Sequence, residues 1–291
     1  MKQDSIKDYI KRYWRVGTIL LLCITVGIVF YFAFKSYERP LRVVFMDVGQ
    51  GDAIFIESPT GNQIIIDGGP GSTLVSQVSK HMPLFDRSID MIVVTNPDKD
   101  HFEGFIPLLS RYTVYSLVEP GVSADKNTVY QEFKRLITEK SIKVVNTRTG
   151  QKILLGGGVH IDVLFPDRDI EDVPHNDGSL VARLVYANTS ILLTGDTTKN
   201  IENYLLTKYP QFLHADILKV AHHGSKTSTI DEFIKAVDPD IAVISAGKDN
   251  SYGHPHKETL DTLSDNGVET LVTMDEGSIT FESDGETWVR K

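Results

Sequence analysis

The stretch from residue 41 to residue 291 predicts an α/β domain with sheets covered by helices, preceded by one membrane-spanning helix. Three observations carry this. Val16 to Phe34 form nineteen residues without a formal charge. Beyond them, short β-branched runs interleave with segments of helical period. Four of those runs end in clusters of Asp, His or Asn, which is where α/β proteins build sites.

The apolar run reads VGTILLLCITVGIVFYFAF, and at 1.5 Å per residue it reaches about 28 Å, enough for a bilayer core. A cleaved signal peptide would have a shorter apolar region and a small-x-small cleavage site, which the exit Phe34-Lys35-Ser36-Tyr37-Glu38 lacks. Tyr13 and Trp14 at one end, with Tyr31 and Tyr37 at the other, form interfacial belts. Five Lys or Arg precede the run (Lys2, Lys7, Lys11, Arg12, Arg15) and three follow it closely (Lys35, Arg39, Arg42). This predicts a short cytoplasmic segment over 1–15, a transmembrane helix over 16–34 and an extracytoplasmic domain over 41–291, a single-pass protein of the cell membrane.

The domain opens with strand-like runs at 41–48, 53–57 and 63–67, separated by Gly-Gln-Gly-Asp and Pro-Thr-Gly-Asn turns. Further strands are predicted at 90–95, 143–146, 158–165, 179–187, 190–194, 215–220, 240–244 and 268–273. Helical period marks 126–140, 198–206, 229–236 and 257–265. No fixed-period repeat or low-complexity linker divides the chain after residue 41, so one domain is expected, and 41% hydrophobic residues are ample for its core.

The formal charge of −9 is unevenly spread: residues 1–15 carry five Lys or Arg against Asp4 and Asp8, a net +3, leaving −12 on the rest. An acidic body exerts no long-range pull on nucleic acid, so a polyanionic substrate needs a local basic groove or a bound metal. The single cysteine, Cys23, lies in the apolar run. The domain therefore has no internal disulfide and no thiolate for a metal, whose ligands must be His, Asp, Glu or Asn.

The most informative turn is Asn96-Pro-Asp-Lys-Asp-His101, which follows an apolar strand and aims several oxygen and imidazole donors at one place. Alone, it also reads as a solvated acidic turn with Asp100 capping a helix. Asp196 then follows the strand Ser190-Ile-Leu-Leu, His222-His223 follow Ala215-Asp-Ile-Leu-Lys-Val-Ala, and His254 sits between Gly253 and Pro255 after Ile241-Ala-Val-Ile. A lone Asp at such a position is usually a cap, and a His pair or loop histidine can be a surface feature; four such clusters together point to a site.

The order of these segments resembles the metallo-β-lactamase superfamily, specifically the extracytoplasmic hydrolase domain of ComEC-type competence proteins. The matching pieces are Phe45-Met-Asp-Val-Gly-Gln-Gly-Asp52, Ile66-Asp-Gly-Gly69, Asn96-Pro-Asp-Lys-Asp-His101, Asn176-Asp-Gly-Ser-Leu-Val181, Leu193-Thr-Gly-Asp196, His222-His-Gly-Ser225 and the loop from Ser245 to Pro255. The resemblance implies an αββα sandwich with one or two divalent metals, zinc or manganese, at its edge. It implies Asp100 and His101 as ligands of the second metal, Asp196 as a bridge, and one histidine of the pair, taken as His223, completing that shell. Asn96 and Asp98 fall at the first-metal ligand positions. His222, the other member of the pair, and His254 would face the scissile group, and Asp100 joins them as a catalytic residue. Asp67 would either hydrogen-bond a ligand or hold its turn, and Asn176 and Ser179 would support the ligands from behind.

Two positions depart from the family. Asn96 stands where its turn begins with His, and Asp98 replaces a second His, a substitution common in the competence-type branch. Both suit a first-metal site that is weak, empty or selective for a harder ion such as manganese.

The resemblance implies a metal-dependent hydrolase, most readily a phosphodiesterase or nuclease acting on DNA. A single span forms no pore, so DNA import would need a membrane channel partner. A surface phosphodiesterase acting on a wall polymer such as teichoic acid fits the anchor equally and the acidic body slightly better. A non-catalytic binding protein with a degenerate site is the contrasting class, supported by Asn96. β-Lactamase activity is the least expected, since the classical third-histidine segment is not recognisable.

Overall fold

The computed structural model describes residues 3–36, 39–124 and 126–291. The interfacial role expected of Tyr37, and the first two residues of the expected cytoplasmic segment, lie outside the described residues.

Two compact units are present. The first is helix α1 (Gln3–Ser36), longer at both ends than the expected span. Its stretch Lys11–Tyr31 is long and apolar enough to cross a membrane, and none of it is covered by protein. Thr18 Oγ1 donates to the Trp14 carbonyl and Thr25 Oγ1 to the Leu21 carbonyl, so both hydroxyls are satisfied within the helix.

The second unit, Pro40–Lys291, contains two sheets. Strands β1 (Leu41–Phe45), β2 (Ile54–Glu57) and β3 (Gln63–Ile66) form an antiparallel meander. The parallel strands β4 (Ser88–Val93), β5 (Thr113–Glu119) and β6 (Lys143–Asn146) extend it from β3. The other sheet repeats this plan. Its meander is β7 (Lys152–Gly156), β8 (Val159–Phe165), β9 (Val181–Tyr186) and β10 (Thr189–Leu193). The parallel strands β11 (Ile217–Lys219), β12 (Ile241–Ile244) and β13 (Glu269–Val272) follow. Strands β14 (Ile279–Ser283) and β15 (Trp288–Arg290) return to the first sheet, β14 pairing with β1.

Strand parity explains the layering. Val43, Phe45, Ile54, Ile56, Ile64 and Ile66 point between the sheets against Val159, Ile161, Leu184, Ile191, Ile217 and Val243. The alternate residues Val44, Phe55 and Ile65 point the other way, against α2 (Thr73–His81), α4 (Phe105–Leu109) and α5 (Thr128–Glu139), with α3 (Lys99–Phe102) beside them. The second sheet is covered by α6 (Lys199–Lys208), α7 (Asp231–Val237) and α8 (Lys257–Asp265) through Leu205, Phe233, Val237 and Leu263. Both faces of the inner strands are buried, which is why these strands read as continuous apolar runs. The result is the predicted αββα sandwich. Sequence periodicity missed α2, β5, β7, β14 and β15, and it carried the first strand to residue 48, whereas β1 stops at Phe45 and the chain turns into a loop.

Strands β1, β3, β4, β10, β11 and β12 all finish at one edge, and the loops after them carry the polar clusters. One brace there comes from α6. The buried Glu202 accepts from the backbone N–H groups of Thr229 (2.6 Å) and Ile230 (3.0 Å), pinning the segment after the histidine pair. Burial lifts its carboxyl to about 7. Glu202→Gln turns an amide NH2 toward one of these donors and is expected to destabilise the domain by about 1–3 kcal/mol, read as a lowered urea midpoint.

Candidate metal centre

The cluster is assembled by backbone features that few residues tolerate. Asp67 sits after β3 with φ +58°, and His222 and His223 follow β11 with φ +50° and +53°, consecutive left-handed residues. Gly104 is required by close approach: a Cβ there would lie 2.0 Å from the Gly68 carbonyl oxygen, so α3 and α4 seat directly on the Gly68-Gly69 turn. Gly68 N–H donates to the His101 carbonyl and Gly104 N–H to that of Gly69, fixing His101 over Asp67.

Asp67 Oδ1 accepts from Thr95 N–H at 2.7 Å and Oδ2 from Thr95 Oγ1 at 2.6 Å, and Oδ2 lies 2.9 Å from His101 Nδ1. This carboxylate holds the imidazole so that Nε2 faces inward. Of the two roles open to Asp67, it performs both. On the opposite side, His223 Nδ1 lies 3.0 Å from the Ser245 carbonyl oxygen and 3.3 Å from Asp52 Oδ1. Asp52 Oδ2 in turn accepts from Lys219 Nζ at 2.7 Å. Lys219, at the end of β11, is 1% exposed and also donates to the Val220 carbonyl.

Four groups converge inside this frame. His101 Nε2 lies 3.1 Å from Asp196 Oδ2, and His223 Nε2 lies 3.2 Å from Asp100 Oδ2 and 3.6 Å from Asp196 Oδ1. His101 Nε2, His223 Nε2 and Asp196 Oδ1 are buried without a hydrogen-bond partner. Donor atoms about 2.1 Å from a tetrahedral cation are about 3.4 Å apart, close to these separations. Two imidazoles and two carboxylates so spaced, three of their inward atoms lacking a hydrogen bond, fit a divalent ion. They open on a cleft of ≈ 310 Å³ lined also by Gln50, Asp98, His222, Tyr252 and His254.

Electrostatics point the same way. Burial disfavours protonation of His101, but Asp196 and Asp67 outweigh it and hold the imidazole well above its ordinary value. For His223 burial again opposes, and Asp196 and Asp52 prevail, lifting it to about 10. Burial would raise Asp196, yet His101 and His223 keep it well below the usual carboxylate range. The cluster thus demands positive charge, from protons or from a cation. At the rim, burial, reinforced by His223, His222 and His256, pushes His254 down to about 4, so it is neutral at pH 7.

The remaining expected site residues divide. His222 and His254 line the cleft, with His222 Nε2 4.0 Å from Asp196 Oδ2. His254 is held by Asn250, which bonds both its N–H and its carbonyl, and it stacks on Tyr252. Asn96 and Asp98, expected as first-metal ligands, are not brought into the donor group. Asn96 Oδ1 accepts from Asp98 N–H, and its Nδ2 donates to Asn176 Oδ1 (2.9 Å) and Ser179 Oγ (3.0 Å). Asp98 faces His175 Nδ1 at 2.7 Å on the cleft margin. It occupies the N-cap position of α3 without a side-chain cap bond, a place the sequence reading offered to Asp100. Ser179 accepts from Asp196 N–H, and Asn176 Nδ2 lies 3.4 Å from His222 Nε2, so both support the cluster from behind.

Asp52, Lys219 and His175 escaped the sequence reading as site residues. A lysine ending an otherwise apolar strand was the available signal for Lys219.

Two outcomes are expected. Asp67→Asn removes the anion behind His101 and lowers divalent-metal affinity about 10–100-fold, measured by calorimetric titration. Because the metal-free histidines hold protons that a cation must displace, affinity rises with pH from about 6 to 8, up to about tenfold per unit for each proton released. Chelator competition at several pH values measures that slope.

Residues 46–248 match the Metallo-beta-lactamase superfamily. ComE operon protein 3 of Bacillus subtilis (strain 168) is 29% identical over 280 residues, covering 90% of this chain and 35% of that protein. Competence protein ComA of Neisseria gonorrhoeae is 26% identical over 267 residues, covering 92% and 35%. The chain thus spans about a third of the length of these curated relatives. Among solved structures, CmlA, a diiron beta-hydroxylase from Streptomyces venezuelae, is similar in fold at TM-score 0.56 and 15% identity, over 84% of this chain and 54% of that one. The family match begins at the residue after β1 and ends beyond β12, taking in Asp100, His101, Asp196 and His223, and this chain therefore belongs to the metallo-beta-lactamase superfamily.

Proposed function

We propose that this chain is a membrane-anchored, extracytoplasmic metal-dependent phosphodiesterase. The superfamily consists generally of metal-dependent hydrolases, and the observation that carries the reading here is the set of unpartnered inward atoms on His101, His223 and Asp196, with Asp100 beside them, at the floor of an open cleft. Asp100, His101, Asp196 and His223 would hold the ion, with zinc and manganese the candidates that a mixed imidazole and carboxylate set suits. A divalent ion supplies Lewis acidity and, by lowering the pKa of water toward about 7, a nucleophile at neutral pH.

The chain's own residues provide the rest. Asp67 orients the His101 imidazole and the Ser245 carbonyl that of His223, with Asp52 facing the same nitrogen. His222 and the neutral His254 border the cleft where the phosphoryl oxygens of a substrate would lie, and each can donate a hydrogen bond to developing charge. The competence relatives favour DNA as the substrate, with a channel partner delivering the strand. The net acidity of the body favours a compact phosphoester, such as a wall polymer. The anchor reading rests on α1 and on the excess of Lys and Arg before its apolar stretch. The bonds that tie Asn96 to Asp98, Asn176 and Ser179 favour one metal over two.

The test is metal content of the purified full chain together with hydrolysis of bis-p-nitrophenyl phosphate in zinc or manganese. Asp196→Ala is expected to abolish turnover while circular dichroism stays unchanged. Equal activity of variant and wild type overturns the proposed site. A folded, metal-free and inactive wild type would favour the binding-protein reading.

A further inference from the structure

The edge opposite the metal centre carries an exposed apolar tip. Strands β1 and β4 run in the same direction, so the start of β1 and the loop leading into β4 share that edge. In this loop Leu84 is 75% and Phe85 93% exposed, the latter being the most exposed large hydrophobic among the described residues. The tip is firmly based: Met82 is buried, Asp86 N–H closes a turn on the Pro83 carbonyl, and Asp86 accepts from Ser88 and Gln63. Arg42, second residue of β1, donates to the His81 carbonyl at 2.7 Å and so ties the loop to the strand that follows α1 in the chain.

Five helical residues follow Tyr31, and five steps lead from Ser36 to Leu41, so β1 begins ten residues after the apolar stretch in the chain. The exposed Lys80 and Arg87 lie four residues before and two residues after the Leu84-Phe85 pair, and Arg87 lines a groove with Arg111, Ser76 and Ser79. A projecting Leu-Phe pair with an exposed cation on either side of it in the chain is suited to acyl chains beneath anionic headgroups.

We propose that Leu84 and Phe85 insert into the lipid surface of the membrane that α1 spans, giving the domain a second point of attachment; this rests on the reading of α1 as a membrane span.

The experiment uses the full chain in vesicles of phosphatidylcholine and phosphatidylglycerol, labelled with an environment-sensitive fluorophore and quenched by spin-labelled lipid. Labels are placed singly at Cys23 and, in a Cys23→Ser background, at Phe85→Cys and at Asp249→Cys on the cleft edge. The expected result is strong quenching at 23 and 85, with at least fivefold less at 249. Quenching at 23 but not at 85 overturns the proposal while leaving the anchor intact. No quenching at 23 removes the anchor reading and this proposal with it. Replacing the anionic lipid by phosphatidylcholine is expected to weaken quenching at 85 alone.

Discussion

The arrangement depends on one buried ion pair. Lys219 ends β11 in the second sheet, and Asp52 sits in the loop after β1 in the other, so their 2.7 Å contact joins the sheets where the donors gather. Taking both charges out of water costs several kcal/mol each, and removing either partner alone leaves a buried charge worth about 3–5 kcal/mol of destabilisation. Asp52 does more than neutralise Lys219. Its other oxygen faces His223 Nδ1, and its backbone N–H bonds the Asp100 carbonyl. Burial opposes its ionisation, but Lys219 and His223 prevail and hold the Asp52 carboxyl far below the usual carboxylate range. A lysine outside the coordination set thus fixes a carboxylate that, with the Ser245 carbonyl, faces the outer nitrogen of a ligand histidine.

The same logic extends to the whole cluster. Asp52, Asp67 and Asp196 are almost fully buried, Asp100 stands beside them, and Lys219 is the fixed cation in their midst. Such an excess of negative charge is tolerable in a dry edge only if mobile positive charge joins it. Protonated His101 and His223 satisfy it in the metal-free protein, and a dication satisfies it with the imidazoles neutral. Metal affinity, histidine protonation and the cohesion of the two sheets are thus three expressions of one electrostatic demand.

Much of this was legible in the sequence, for identifiable reasons. Strands buried on both faces announce themselves as β-branched runs, and Asp67, Asp100, His101, Asp196 and the His222-His223 pair each close such a run. The missed elements are weaker locally: β5 mixes Thr, Tyr and Ser with its apolar residues, and α2 is short and rich in Ser. The missed site residues depend on distance along the chain. Asp52 and Lys219 are 167 positions apart, and Asp98 and His175 are 77 apart. Asn96 was placed at a ligand position because its neighbours fit one; its bonds to Asn176 and Ser179 exist only once the two sheets meet.

The left-handed histidine pair bears on how mutagenesis of this centre is to be read. Histidine is among the side chains found more often than most in that backbone region, while alanine there has no local bond to offset the steric cost of about 1–2 kcal/mol. The turn is further closed by Gly224, whose added Cβ would strike Pro255 at 2.7 Å. An alanine at 222 or 223 therefore deletes an imidazole and loosens the turn that carries both, confounding chemistry with conformation. Asparagine, which shares the left-handed tolerance, is the replacement that separates the two.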